Sequence, residues 1–209
     1  NLENLSYGLD YADRLTQVDR FEDAIPVLNS VILQDPSSKL AYRKLAEAHK
    51  ETGNYSKAAK AYEDLFKIDP RDSRIAINIS DSYLENGDYV KALRWADKAS
   101  TLDGGTGEGF GQKGKVYYYG WESFRSNPFS TDDRVVAKLA YDYFIKAENK
   151  GFSGYSKSAW LNENSKDILY GKAQWFMAED KVRRTRSIST SSSNYDWVTE
   201  PLKAETGWK

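Results

Sequence analysis

The chain has no cysteine, one histidine and one methionine, and its charges almost cancel. Without cysteine there is no disulfide, no thiol nucleophile and no thiolate metal ligand, and a reducing cytosol and a periplasm tolerate such a chain equally. One histidine and no cysteine exclude a His/Cys zinc site by count. The 30 basic and 31 acidic residues leave a net charge of −1, which argues against nucleic acid or an anionic membrane surface as the main partner. No apolar run approaches the roughly 20 residues needed to span a bilayer. The first residue is Asn1 rather than methionine, which is compatible with a removed N-terminal signal peptide.

What is present is periodicity. Within residues 39–72, Tyr42, Leu45, Ala46 and His49 recur at spacings of three and four, the pattern of one helical face. After a turn at Gly53-Asn54, Tyr55, Ala58, Ala59, Tyr62, Leu65 and Phe66 repeat that pattern, and Pro70 stops the second helix. Small Ala46 and Ala58 facing large Tyr42 and Tyr62 suit two closely packed helices. Asp35-Pro36, Asp69-Pro70 and Asp103-Gly104 follow one another at 34-residue intervals. A helix–turn–helix at that period predicts a repeat array, stabilised by contacts between neighbours rather than by one central core.

At these residues the sequence resembles the tetratricopeptide repeat (TPR) family, whose pattern runs aromatic, Leu-Gly/Ala, Tyr, Ala, aromatic, Pro. Residues 39–72 hold those places with Tyr42, Leu45-Ala46, His49, Ala58, Tyr62 and Pro70; His49 stands where the family usually has tyrosine. Residues 5–38 hold them with Gly8, Tyr11-Ala12, Leu15, Ala24, Leu28 and Pro36. Residues 73–106 hold them with Ala76, Ile79-Ser80, Tyr83, Ala92, Ala96 and Gly104. The resemblance implies an all-α, right-handed superhelical solenoid of helical hairpins: three regular repeats, an irregular fourth and a C-terminal capping helix.

The first repeat reads as helices over 1–19 and 21–34, with Pro26 tolerated near the edge of a first turn. Asp19 stands where the next repeats have Gly53 and Gly87, so its inner turn is expected to be the loosest; Asn54 and Asp88 are expected N-caps. In the fourth repeat, 107–120 reads as a first helix and 121–132 as an insertion of turn and cap residues before the helix resumes at Val136. A short apolar piece over 151–163 precedes a last amphipathic helix over 165–183, with Ile168, Leu169, Ala173, Phe176 and Met177 on one side and Ser165 as N-cap. These elements define an expected array over 1–183. Residues 184–209 form a serine-rich linker, too poor in apolar groups to order itself, and an aromatic tail expected to be extended or docked through Tyr195, Trp197 and Trp208.

No catalytic constellation is visible. His49 reads as a packed, hydrogen-bonded core residue, and the glycines of 104–111 lack the Gly-Lys-Ser/Thr end of a phosphate loop. The expectation is a protein that is not an enzyme and has no cofactor and no metal. In TPR arrays the first helices line a groove that binds an extended peptide or a helix. The resemblance carries that lining onto Leu9 and Asp13; Leu40, Arg43, Glu47 and Lys50; Arg74, Ile77, Asp81 and Leu84; and Lys115 and Tyr118. A chaperone-type carboxylate clamp fits poorly, because Glu47 and Glu108 stand where it wants Asn and Lys. The leading expectation is an interaction scaffold or adaptor that holds a protein partner, within a larger assembly. The alternative is a structural subunit anchored by its aromatic tail and the 121–132 insertion.

Overall fold

The computed structural model describes residues 2–102, 104–152 and 154–208, with side chains from residue 5 onward. Its contacts fall into two units, Asn1–Asp103 and Gly104–Lys209. The division falls at 103/104, and residues 184–208 lie within the second unit.

The first unit is three helical hairpins: α1 (Leu2–Gln17) with α2 (Phe21–Gln34), α3 (Lys39–Glu51) with α4 (Tyr55–Ile68), and α5 (Ser73–Glu85) with α6 (Tyr89–Leu102). From α2 on, each helix begins and ends 34 residues before its counterpart in the next hairpin. Asp103, the third landmark of the period, lies outside the described residues. The buried set is small residues and branched apolar ones at helical spacing. Ala12, Ala24, Ala46, Ala58, Ala76 and Ala92 have no exposed surface, beside Leu28, Leu65 and Ile79. Small residues at these places let backbones approach until the larger side chains interdigitate. The buried Ser80 keeps its polar atom satisfied by donating to the Ala92 carbonyl at 2.8 Å.

The inner turns follow one design. Asp19, Gly53 and Gly87 all take the left-handed conformation, with φ of 57°, 71° and 76°. The next N–H then reaches back to close each turn: Arg20 to the Leu15 carbonyl, Asn54 to His49 and Asp88 to Tyr83, at 2.9, 2.8 and 2.9 Å. The first turn is therefore closed like the others, contrary to the expectation, and Asp19 bears the cost of a Cβ in that region. Asp88 accepts from the Lys91 N–H at 3.0 Å, as an N-cap should. Asn54 does not cap: its amide donates instead to the Thr52 hydroxyl at 2.8 Å. Ser38 and Asp72 cap α3 and α5. Pro26 is the sixth residue of α2, deeper than expected, where it deletes the bond to the Glu22 carbonyl; both residues are exposed, so water takes that carbonyl.

The second unit is built on α7 (Glu108–Phe124) and α8 (Thr131–Glu148). Helix α7 runs four residues past the expected 107–120, so Trp121 and Phe124 belong to it and the expected insertion shrinks to a loop over 125–130. Ser130 caps α8 in a capping box with Asp133. Glycines notch α7 for bulky neighbours: a Cβ at Gly111, Gly114 or Gly120 would collide with the ring of Phe152, Phe144 or Trp197.

The expected helix over 165–183 is broken. After α9 (Ser158–Glu163) come α10 (Ser165–Ile168), α11 (Lys172–Met177) and α12 (Asp180–Thr185). Tyr170 interrupts the run by turning its N–H to the Arg134 carbonyl of α8 at 3.0 Å, and its ring is buried. The break also changes the inward face: Trp175 is buried, whereas Phe176 and Met177 are 47% and 79% exposed. Residues 187–188 (β1) pair antiparallel with 202–203 (β2), a small departure from an all-helical chain.

Candidate functional site

The first helices of the first unit present a mixed acid–base face. Glu47, Lys50 and Arg74 are exposed; Leu9, Asp13, Arg43, Ile77 and Asp81 are half-buried; Leu40 is 49% exposed. Leu84 differs from the others, because it is buried and serves packing. Asp13 is ion-paired with Lys44 of the neighbouring first helix, and that hydrogen bond and charge hold its carboxyl below the usual range. The charges of this face influence a residue that the sequence reading assigned to packing. Tyr62 reaches from α4 with its ring buried, and burial, with Glu47 and Asp81, pushes its hydroxyl pKa up to about 12 against the opposing pull of Arg43.

A second feature lies between α2, α3 and α4. A pocket of about 330 Å³ is lined by Asn29, Ile32, Tyr42, Leu45, His49, Lys57, Lys60, Ala61 and Asp64. His49 is buried, but its Nδ1 has no hydrogen-bond partner, which corrects the expectation of a hydrogen-bonded core histidine. Burial, and secondarily the Lys57 ammonium, lowers its pKa, so the ring is neutral at pH 7.

In the second unit one predicted lining residue, Tyr118, is buried and the other, Lys115, is half-buried. Tyr118 is buried, donates to Glu122 at 2.9 Å and packs on Trp121 and Trp160, while the Lys115 ammonium lies 5.8 Å from the ring centre of Tyr155. The chain's own C-terminal segment packs on α7 and α8. Trp197 packs against the Tyr117 ring and over Gly120, and Trp208 against Tyr170 and Trp175. The Tyr195 hydroxyl donates to Asp133 at 2.5 Å. The serine-rich stretch is ordered by hydrogen bonds rather than by apolar burial: the Ser191 and Ser192 N–H groups donate to Asp132 at 2.8 and 2.6 Å.

Glu200 is the hub. It accepts the hydroxyls of Tyr117 and Tyr143 at 2.5 and 2.7 Å and pairs with the buried Lys113 ammonium at 3.0 Å. Burial works to raise its pKa, but the two hydroxyls and Lys113 outweigh it and hold the carboxyl below the ordinary value. Burial raises Asp142 despite its Lys138 partner, and the same burial is outweighed at Lys138 by Asp142 and Glu205, which raise it. These are structural ion pairs with satisfied partners. Among the described residues, no group of three or more His, Cys, Asp or Glu is arranged to hold a metal ion, and no helix is long and apolar enough to cross a membrane.

Residues 15–76 match the family model of the tetratricopeptide repeat. Cellulose synthase operon protein C of Pseudomonas fluorescens (strain SBW25) is 27% identical over 111 residues, which are 53% of this chain. The match spans only 9% of that relative's length. A crystal structure of MamA superposes with a TM-score of 0.58 at 18% identity, over 72% of this chain and 80% of that one. The 41-end form of MamA from Desulfovibrio magneticus RS-1 does so at 0.56 and 18% identity, over 73% and 78%. At such identity the likeness is one of fold. The family match over residues 15–76 lies on hairpins that recur every 34 residues, so that stretch carries the tetratricopeptide repeat architecture.

Proposed function

We propose that the chain is a non-enzymatic interaction scaffold whose first unit binds a partner's peptide or helix on the face formed by α1, α3 and α5. The observation that carries this reading is the mixed face itself: exposed Glu47, Lys50, Arg74 and Leu40 alternate with half-buried Arg43, Ile77 and Asp81 on α3 and α5. Such a face offers paired charges for register and isolated apolar groups for affinity, a combination suited to a segment of mixed polarity. The buried charges of the second unit are used within the fold, which supports a binding role over a catalytic one. Tail anchoring in another chain has less support, because Tyr195, Trp197 and Trp208 are buried within the second unit and would first have to undock.

The test is site-specific photo-crosslinking on the native protein in its own cells. A crosslinker at Glu47 should trap a defined protein, one at the exposed Lys67 of α4 should not, and Arg43→Glu should reduce the Glu47 product at least several-fold. Equal trapping from both positions, or no effect of Arg43→Glu, would overturn the reading.

A further inference from the structure

One side of α1 breaks the pattern of the array. Tyr7, Tyr11 and Arg14 share that side, within an arc of roughly 60° at 3.6 residues per turn, and Val18 continues the spacing just past the helix end. All four are exposed, Tyr7, Val18 and Tyr11 by 72%, 63% and 55%. One repeat on, Tyr7, Tyr11 and Arg14 correspond to Ala41, Leu45 and Ala48 of α3, and then to Ile75, Ile79 and Ser82 of α5. Those six are all buried. The difference is a neighbour. Helices α3 and α5 each pack against the second helix of the preceding hairpin as well as that of their own, and Leu45 lies beside Asn29 and Ile32 of α2. Helix α1 packs against α2, and among the described residues no helix covers its other side. An array end that meets only water carries polar groups there, and two tyrosines with a valine are not such an end.

We propose that this stripe is closed by the same stripe of a second copy of the chain, the two α1 helices lying antiparallel about a twofold axis. The packing of α2 on α3 and of α4 on α5 shows that this side of a first helix accepts a helix. The stripe is also self-complementary in the antiparallel sense. With Tyr11 opposite the partner's Arg14, Tyr7 comes opposite the partner's Val18, so one ring meets a cation and the other an aliphatic group. The exposed Asp10, one turn before Arg14 and on the same flank, then lies beside the partner's Arg14. The twofold axis makes each of these contacts twice. A parallel pairing would instead bring the two Arg14 side chains together, which repel. This surface goes beyond the proposed binding face, which uses Leu9 and Asp13 on the opposite side of α1. The two share no residue, so either can fail without the other.

The experiment is analytical ultracentrifugation of the whole chain over a concentration series. The mass should rise toward that of two chains. Tyr7→Asp combined with Tyr11→Asp changes exposed residues only, so it should keep the helical circular dichroism and hold the mass at one chain. Arg14→Asp sets acid against acid and should weaken the dimer at least several-fold; adding Asp10→Arg should recover most of that loss. The chain has no cysteine, so the register can be read directly. Under mild oxidation a mixture of Tyr7→Cys and Val18→Cys chains should crosslink to each other in preference to their own kind. A one-chain mass at about 1 mM would overturn the proposal. So would a dimer kept by the folded double tyrosine variant, a charge exchange that recovers nothing, or no preference for the mixed disulfide.

Discussion

Removing the Glu200 carboxylate tests what holds the second unit together. In Glu200→Ala, two tyrosine hydroxyls lose a charged acceptor and the buried Lys113 ammonium loses its counter-charge. Hydrogen bonds to charged groups contribute about 1.5–3 kcal/mol each, and three contacts on one group overlap, so the expected loss is about 3 kcal/mol. For a unit of this size that corresponds to a fall of about 12–20 °C in its thermal midpoint. The assay is a melt followed by tryptophan fluorescence, since Trp121, Trp160, Trp175, Trp197 and Trp208 all lie in the second unit. The pH dependence adds a second check. The folded pKa of Glu200 lies below its unfolded value of 4.5, so its contribution is present above that pH and is lost as pH falls through the lower folded value. The gap between wild type and Glu200→Gln should therefore shrink on acidification below pH 4.5. A midpoint within about 4 °C of wild type for Glu200→Ala, the equivalent of about 1 kcal/mol, would refute the hub assignment.

Two further outcomes follow from the packing. Gly120→Ala places a Cβ inside the Trp197 ring; overpacking costs about 1–3 kcal/mol against a gain of up to about 1 kcal/mol in helix propensity, so the tail should loosen. Red-shifted fluorescence and faster hydrogen exchange over 191–202 would report it, and an unchanged spectrum would count against the docking. Asp19→Gly relieves a left-handed residue carrying a Cβ and should stabilise the first unit by about 0.5–1 kcal/mol after the larger unfolded-state entropy of glycine is deducted. A chemical-denaturation series followed by circular dichroism measures that gain.

Much of the first unit was legible from residue order. A period of 34 sets the helix boundaries, and the turn positions carry glycine or aspartate, because helix, turn and cap depend on residues within a few places of one another. Misreadings arose where local signals were ambiguous. Asn54 has a capping side chain, yet Thr52 offered a nearer acceptor. Leu84 lies one turn beyond Asp81 but faces inward.

By itself the sequence determined the helical hairpins, their spacing, and the absence of the residue types that disulfide, thiol and His/Cys zinc chemistry require. Tertiary structure alone decided the rest. It broke the run after residue 168 so that Tyr170 could bond to α8, and it seated the tail on glycine notches in α7. It also left His49 beside an opening. Each of these depends on volumes and partners contributed by residues far apart in the chain. Periodicity records which way a side chain faces, but not whether the space it faces is filled.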